Sequence, residues 1–122
     1  MNKKTKIAVF VSGGGTNLQA LIDASKRGEI PSGEIALVLA SNDKAYALTR
    51  AAENNIPIIV LDRPNPNGFY IDGPVLEKEN SSFVGLHQVP VVYGLTIGEY
   101  AQMVNGEFWL KDSLQCDLKV IP

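Results

Sequence analysis

A run of glycines between an apolar segment and a polar one is the part of this sequence best suited to bind a ligand. The run reads Ser12, Gly13, Gly14, Gly15, Thr16 and Asn17. Glycines let a backbone approach a phosphate closely, and the free N–H groups at the start of a helix favour negative charge. The hydroxyls of Ser12 and Thr16 add further donors. The pattern predicts a site for phosphate or sulfate, and an equally good interpretation is a tight turn from a strand into a helix.

The glycine loop fits neither of two well-known nucleotide-binding motifs. It lacks the Gly-Lys-Ser/Thr ending of a Walker A loop and the glycine spacing of the dinucleotide fingerprint. We therefore predict no cofactor, and we expect the loop to bind at most a simple anion with low affinity.

A second candidate site follows the apolar segment 58–61. Asp62, Arg63 and Asn65 stand there among prolines, just past the end of a predicted strand. In open α/β sheets, ligands bind at that edge. A simpler interpretation, which we favour, is that Asp62 and Arg63 orient the loop through local hydrogen bonds and an ion pair.

Groups that could catalyse a reaction are scarce. The only histidine, His87, stands in a predicted loop, where a surface position is more common than a role as general acid or base. The only cysteine, Cys116, excludes an internal disulfide and a cysteine-based metal site, and it indicates a reducing compartment such as the cytoplasm. We therefore predict no catalytic residue and no metal.

The elements that must position these loops alternate between strand and helix. Apolar runs rich in β-branched residues predict strands, and apolar residues at helical spacing predict helices. The predicted order is strand 6–11, helix 16–27, strand 35–40, helix 44–54 and strand 58–61. This alternation requires parallel strands joined by right-handed crossovers. We predict a single α/β domain of Rossmann-like or flavodoxin-like architecture, with three layers and a mainly parallel sheet.

The alternation of predicted strands and helices stops after Asp62. Residues 62–94 contain several prolines and glycines without helical periodicity, which predicts an irregular excursion with short extended pieces. Thr96 and Glu99 then have the spacing of a capping box, so we expect a helix to begin there and to end near Gly106. A last short strand is predicted over 118–121.

Length and composition limit the function further. A chain of 122 residues with 45% hydrophobic residues is typical of one soluble globular domain. Its net charge of −2 argues against nucleic-acid binding, and its apolar runs are too short to span a membrane. The irregular excursion carries Phe69, Phe83 and Tyr93, and exposure of these rings would favour a dimer.

The stretch around the glycine loop is more specific than the loop alone. Residues 7–22, continued at 41–48 and 51–57, resemble the opening of glycinamide ribonucleotide (phosphoribosylglycinamide) formyltransferase, a folate-dependent enzyme of purine synthesis. The resemblance implies that the loop at residues 15–17 holds the phosphate of the ribonucleotide. The Asn, His and Asp that catalyse formyl transfer in that family have no counterpart in this sequence.

The second half of the chain resembles a different family. Residues 62–66, with further matches at 72–76, 82–86 and 93–99, are similar to bacterial exo-β-N-acetylmuramidases, which remove terminal N-acetylmuramic acid from peptidoglycan. The resemblance implies the end of a Rossmann-like domain, whose active site lies in a cleft beside a second domain. Tyr93 departs from the pattern of the family, in which we expect a histidine.

The two resemblances meet near Leu61 and predict a chimera, with residues 1–61 from one source and 62–122 from another. We expect an engineered or recombined scaffold without a complete active site, because function belongs to a site and not to a fold. One alternative is residual binding of the formyltransferase substrate. A second is a remnant that binds N-acetylmuramic acid.

Overall fold

The secondary structure is described by a computed structural model for residues 3–42, 45–82 and 85–122. In chain order, the elements are β1 (Thr5–Val11), α1 (Thr16–Lys26), β2 (Gly33–Ala40), α2 (Ala45–Glu53), β3 (Ile58–Leu61), β4 (Asp72–Val75), β5 (Pro90–Val92), α3 (Ile97–Gly106) and β6 (Leu118–Ile121). Each element predicted up to Leu61 is present, and its ends lie within two residues of the prediction.

The main sheet consists of four parallel strands in the order β1-β2-β3-β6. The strand at the predicted boundary, β3, pairs with β2 on one side and with β6 on the other. β4 and β5 form a separate antiparallel ladder. These observations confirm the predicted α/β class with a mainly parallel sheet. In the part of the chain that the structure describes, no helix is long and apolar enough to cross a membrane.

One face of the sheet packs against the helices and forms the core. Alternate strand residues point to that face, as the two-residue period of a strand requires. The buried strand residues are Val9, Val11, Val38, Ala40, Ile58 and Val60. The helices add Leu18, Ile22, Leu48, Ala51, Ala101 and Val104. Burying each of the larger aliphatic side chains contributes about 1.5–3 kcal/mol, so this face supplies most of the driving force for folding.

The opposite face of the sheet carries apolar side chains that no described element covers. Phe10 is 74% exposed, and Leu61 and Ile121 are 41% and 37% exposed. The strand order explains this, because right-handed crossovers that all step in one direction place every connecting helix on the same face. The described connecting helices therefore lie on one side of the sheet.

The segment between β3 and α3 has the predicted irregular character, with β4 and β5 as its extended pieces. Phe69 is 83% exposed. Tyr93 is half-buried instead, and its ring centroid lies 4.9 Å from that of Tyr100. Phe83 lies outside the described residues. The predicted capping box is present: Thr96 Oγ1 accepts from the Glu99 N–H at 3.1 Å, and the Glu99 carboxylate accepts from the Thr96 N–H at 2.8 Å.

Candidate functional site

The glycine loop joins β1 to α1 and leaves room in front of the helix. Gly15 is the N-cap of α1, with φ 78° and ψ 28°, a left-handed conformation that favours glycine. No side chain caps this helix, so the N–H groups of its first turn are available to an anion. A Cβ built on Gly13 or Gly14 would meet nothing within 4 Å. The flanking polar side chains are exposed, namely those of Ser12, Thr16 and Asn17.

A cation from α2 lies against the glycine loop. Arg50 Nε donates to the Gly14 carbonyl at 3.0 Å, and Arg50 Nη1 donates to Gln19 Oε1 at 3.1 Å. The Asn42 amide donates to the Ser12 carbonyl on the other side of the loop. The guanidinium adds its charge to the positive end of the α1 dipole, which strengthens the preference of this place for an anion.

The loop after β3 differs because its carboxylate already has donors. Asp62 Oδ2 accepts from the Thr96 hydroxyl at 2.7 Å. Asp62 Oδ1 accepts from the N–H groups of Gly98, at 2.9 Å, and Arg63, at 2.8 Å. Burial by itself would raise the pKa of Asp62, but these hydrogen bonds outweigh it and hold the pKa below its usual value. The carboxylate thereby ties the end of β3 to the start of α3.

The other two predicted residues of this loop are also engaged locally or exposed. Asn65 Nδ2 donates to the Leu95 carbonyl at 2.9 Å, and Asn65 Oδ1 accepts from the Asn67 N–H at 2.9 Å. Arg63 is exposed and forms no ion pair with Asp62 within 4.0 Å. The loop therefore forms the local hydrogen bonds that we favoured from the sequence. It does not form the ion pair between Asp62 and Arg63 that we expected with them.

A cavity of about 1150 Å³ lies between the glycine loop and the irregular excursion. Gly14 and Tyr46 line it from the first half of the chain. Its remaining lining comes from the segment between β4 and α3, including Glu77, His87 and Tyr93. The structure thus brings one part of the predicted anion loop to this cavity, whereas Asp62, Arg63 and Asn65 do not line it.

Aromatic rings form one wall of the cavity. His87 Nδ1 lies 2.9 Å from the Tyr100 hydroxyl, and the His87 ring stacks on Trp109 with centroids 5.6 Å apart. Tyr93 packs against Tyr100 in turn. His87 is therefore half-buried and not the surface residue that the sequence led us to expect. Such rings suit the flat, partly apolar surface of a sugar or another ring-bearing ligand.

The remaining titratable groups do not assemble into a further site. Within residues 3–42, 45–82 and 85–122, no three His, Cys, Asp or Glu side chains cluster closely enough to hold a metal ion. Burial raises the pKa of the Cys116 thiol to about 11, and the thiol donates to Asn105 Oδ1 at 3.3 Å. Cys116 is therefore a neutral core residue at pH 7 and not a nucleophile.

Sequence reasoning missed the contribution of α2 and the aromatic wall. Arg50 reaches the glycine loop from α2, and the spacing of Tyr46 and Arg50, four residues apart on one helix face, is a signal that could have found both. The wall of His87, Tyr93 and Tyr100 gave no such signal, because it forms only when the excursion folds back beside α3.

Comparison with known proteins finds similarity to a muramidase family. The family model described as exo-beta-N-acetylmuramidase NamZ, N-terminal, matches residues 42–122, which include α2 and β3 as well as the segment after Leu61. The peptidoglycan beta-N-acetylmuramidase NamZ of Bacillus subtilis is 53% identical over 78 residues, which are 63% of this chain and 18% of that protein.

A different segment of the chain is similar to formyltransferases. The phosphoribosylglycinamide formyltransferase of Saccharomyces cerevisiae is 57% identical over 53 residues, which are 43% of this chain and 25% of that protein. The chain therefore spans only a quarter or less of these two relatives. Among solved structures, a DUF1343 family protein from Bacteroides fragilis superposes on 99% of this chain and 47% of its own, with a TM-score of 0.66 and 27% identity. The predicted likeness to two families is confirmed.

Proposed function

Because the chain belongs to the exo-beta-N-acetylmuramidase NamZ, N-terminal, family while its first half resembles formyltransferases, we propose that it is an engineered or recombined scaffold that binds a phosphate-type anion. The anion binds at residues 13–17, and neither relative's reaction is catalysed. One observation carries the anion site: Gly15 begins α1 in a left-handed turn, uncapped, with the Arg50 guanidinium against the Gly14 carbonyl. This arrangement offers backbone donors and positive charge at one point.

The absence of catalysis is proposed from the engagement of the groups that could catalyse. Glycoside hydrolysis normally needs two carboxylates at a fixed separation. Asp62 accepts three hydrogen bonds, two of them from the start of α3, and Glu99 completes a capping box. The His87 ring is held between Tyr100 and Trp109. We expect background rates with phosphoribosylglycinamide plus a formyl donor and with N-acetylmuramic acid glycosides.

Thermal unfolding in increasing inorganic phosphate tests the anion site. Binding to the native state raises the melting temperature in a saturating manner, and we expect an affinity of roughly millimolar. Gly15→Ala should abolish this increment, because a Cβ at φ 78° is strained and lies 3.3 Å from Arg50 Cδ. Gly28→Ala is the matched control, since Gly28 has φ 77° but open space around it, away from the loop. Both changes cost about 1 kcal/mol of stability.

The two glycine variants separate binding from stability. If Gly15→Ala and Gly28→Ala respond equally to phosphate, the loop is only a turn. Phosphoribosylglycinamide, added in place of phosphate, tests the alternative of residual substrate binding. An affinity more than about tenfold above that of phosphate would favour that alternative.

A second candidate function is favoured by the aromatic wall of the cavity. Tyr93, Tyr100 and His87 line the same cavity, and their ring surfaces suit the apolar face of a sugar ring. N-acetylmuramic acid should then quench the fluorescence of Trp109, which stacks on His87. Tyr93→Ala should remove the response. Tyr70→Ala, at an exposed tyrosine that does not line the cavity, should leave it unchanged.

A further inference from the structure

The open face of the main sheet is unusual for parallel strands, which are normally buried on both faces. Phe10, Leu39 and Leu61 share a shallow hollow of about 200 Å³ on this face. The face continues through Ala8 and Leu37 towards the amino ends of the strands. An apolar surface of this extent marks a place of association, because leaving it in water is unfavourable.

The register of the strands defines one row of side chains across the open face. Phe10 pairs with Leu39, Leu39 with Ile59, and Ile59 with Lys119. The row therefore begins with an aromatic ring at the β1 edge, passes two aliphatic side chains, and ends with a cation at the β6 edge. An aromatic face attracts an ammonium group within about 6 Å, so the two ends of the row are complementary.

We propose that a second copy of this chain covers the open face, related by a two-fold axis that runs parallel to the strands between β2 and β3. Such an axis places β1 of each copy over β6 of the other. Phe10 of each copy then receives the Lys119 ammonium of the other, and Leu39 packs on the second copy's Ile59. The row is thus self-complementary, as a closed two-fold interface requires.

Two sheets can also stack face to face about a two-fold axis perpendicular to the strands, and the position of the charged side chains favours the parallel axis. A two-fold axis perpendicular to the strands would set β6 against β6 and bring the two Lys119 ammonium groups together. Like charges at an interface are unfavourable, whereas the parallel axis separates them to opposite edges. The ion pair of Lys6 and Glu34, at 2.6 Å, forms a polar rim at the amino ends of the strands.

The area of the open face is sufficient for a specific dimer. Four strands spaced about 4.8 Å apart, with four to eight residues each, span about 19 Å by 13–26 Å. Stacked sheets lie about 10 Å apart, so the two faces exclude water between them. Two copies bury on the order of 1,000 Å² of accessible surface, which reaches the lower end of specific interfaces.

Sedimentation equilibrium of the purified 122-residue chain tests the dimer. Wild type should sediment with twice the chain mass of 13.2 kDa at micromolar concentration. Phe10→Lys should shift the mass to that of one chain, because it opposes two cations across the interface. The charge-swapped double variant Phe10→Lys/Lys119→Glu should return the dimer, since each new lysine then faces the second copy's glutamate. Phe69→Lys is the matched control, because Phe69 is also mostly exposed but lies outside the sheet.

Each result bears on the proposal. A wild-type chain that stays monomeric up to about 100 μM, or that forms a broad series of aggregates, overturns it. A dimer that survives Phe10→Lys, or that Phe69→Lys dissociates, places the interface elsewhere. Failure of Phe10→Lys/Lys119→Glu to restore a dimer that Phe10→Lys dissociates overturns the pairing of β1 with β6. Phe10 is mostly exposed, so circular dichroism should confirm that all variants are folded.

Discussion

Two loops at the same edge of one sheet use their polar groups in opposite ways. The loop after β1 presents glycine backbone, open space and an uncapped helix start. The loop after β3 presents Asp62, but three donors already occupy its carboxylate and Asn65 binds the Leu95 carbonyl. A place at the carboxyl edge of a parallel sheet is therefore not enough to make a site. The feature on which we base the proposed anion site is that no side chain caps the first N–H groups of α1.

The largest expected effect comes from adding one methyl group in or beside each loop. A Cβ on Gly98 would lie 2.7 Å from the Asp62 carboxyl carbon and would also press on Val120, whereas a Cβ on Gly13 would meet nothing. We expect Gly98→Ala to lower the free energy of unfolding by about 3 kcal/mol, because it separates β3 from α3. Gly13→Ala should change it by less than about 0.5 kcal/mol. Urea denaturation measures both, and similar losses would contradict the comparison.

Removal of the Asp62 side chain should have the next largest effect. Asp62→Ala leaves the Thr96 hydroxyl and the Gly98 N–H without their acceptor, and we expect a loss of about 2 kcal/mol. Asp72→Ala is the control, because the exposed Asp72 accepts, among the residues that the structure describes, from the neighbouring Gly73 N–H alone. The increase in melting temperature with phosphate should be the same in both variants. A phosphate response that disappears in Asp62→Ala would show that the two loops act together.

The Arg50 side chain should matter less for stability and more for the anion. Arg50→Met keeps the aliphatic stem but removes the donors to Gly14 and Gln19, which should cost about 1 kcal/mol. It should also abolish the phosphate-dependent rise in melting temperature. Arg27→Met, which breaks only an exposed pair with Glu29, should do neither. A phosphate response that survives Arg50→Met would locate the anion away from α2.

We expect the smallest effect on stability at acid pH, through the Asp62 carboxylate of the loop after β3. Asp62 has a pKa lowered from its ordinary 3.8, so its hydrogen bonds stabilise the fold above that pH. This contribution is lost as the pH falls through the lowered pKa. The difference in urea midpoint between wild type and Asp62→Asn should therefore be constant at pH 5 and above and should shrink below pH 3.8. Parallel curves for the two proteins down to pH 2 would contradict this assignment.

Local sequence predicted the elements well and their assembly less well. The alternation up to Leu61, the Thr96–Glu99 capping box and the strand over 118–121 depend on neighbours in the chain, and all three are present. The side of the sheet on which each helix lies depends on which way each crossover steps, and no residue pattern encodes that direction. The aromatic wall was missed for a similar reason, since His87 meets Tyr100 and Trp109 only after the excursion folds back.

The strand order of the main sheet has a consequence for how such a chain can arise and fold. Because the strands lie side by side in the order of their synthesis, each new strand–helix unit can dock on the edge left by the previous one. A genetic crossover at β3, such as the recombination that we propose, would therefore leave the strand–helix units on either side whole. Within this sheet, inheritance from two ancestors requires only that β2 and β6 both accept the same central strand.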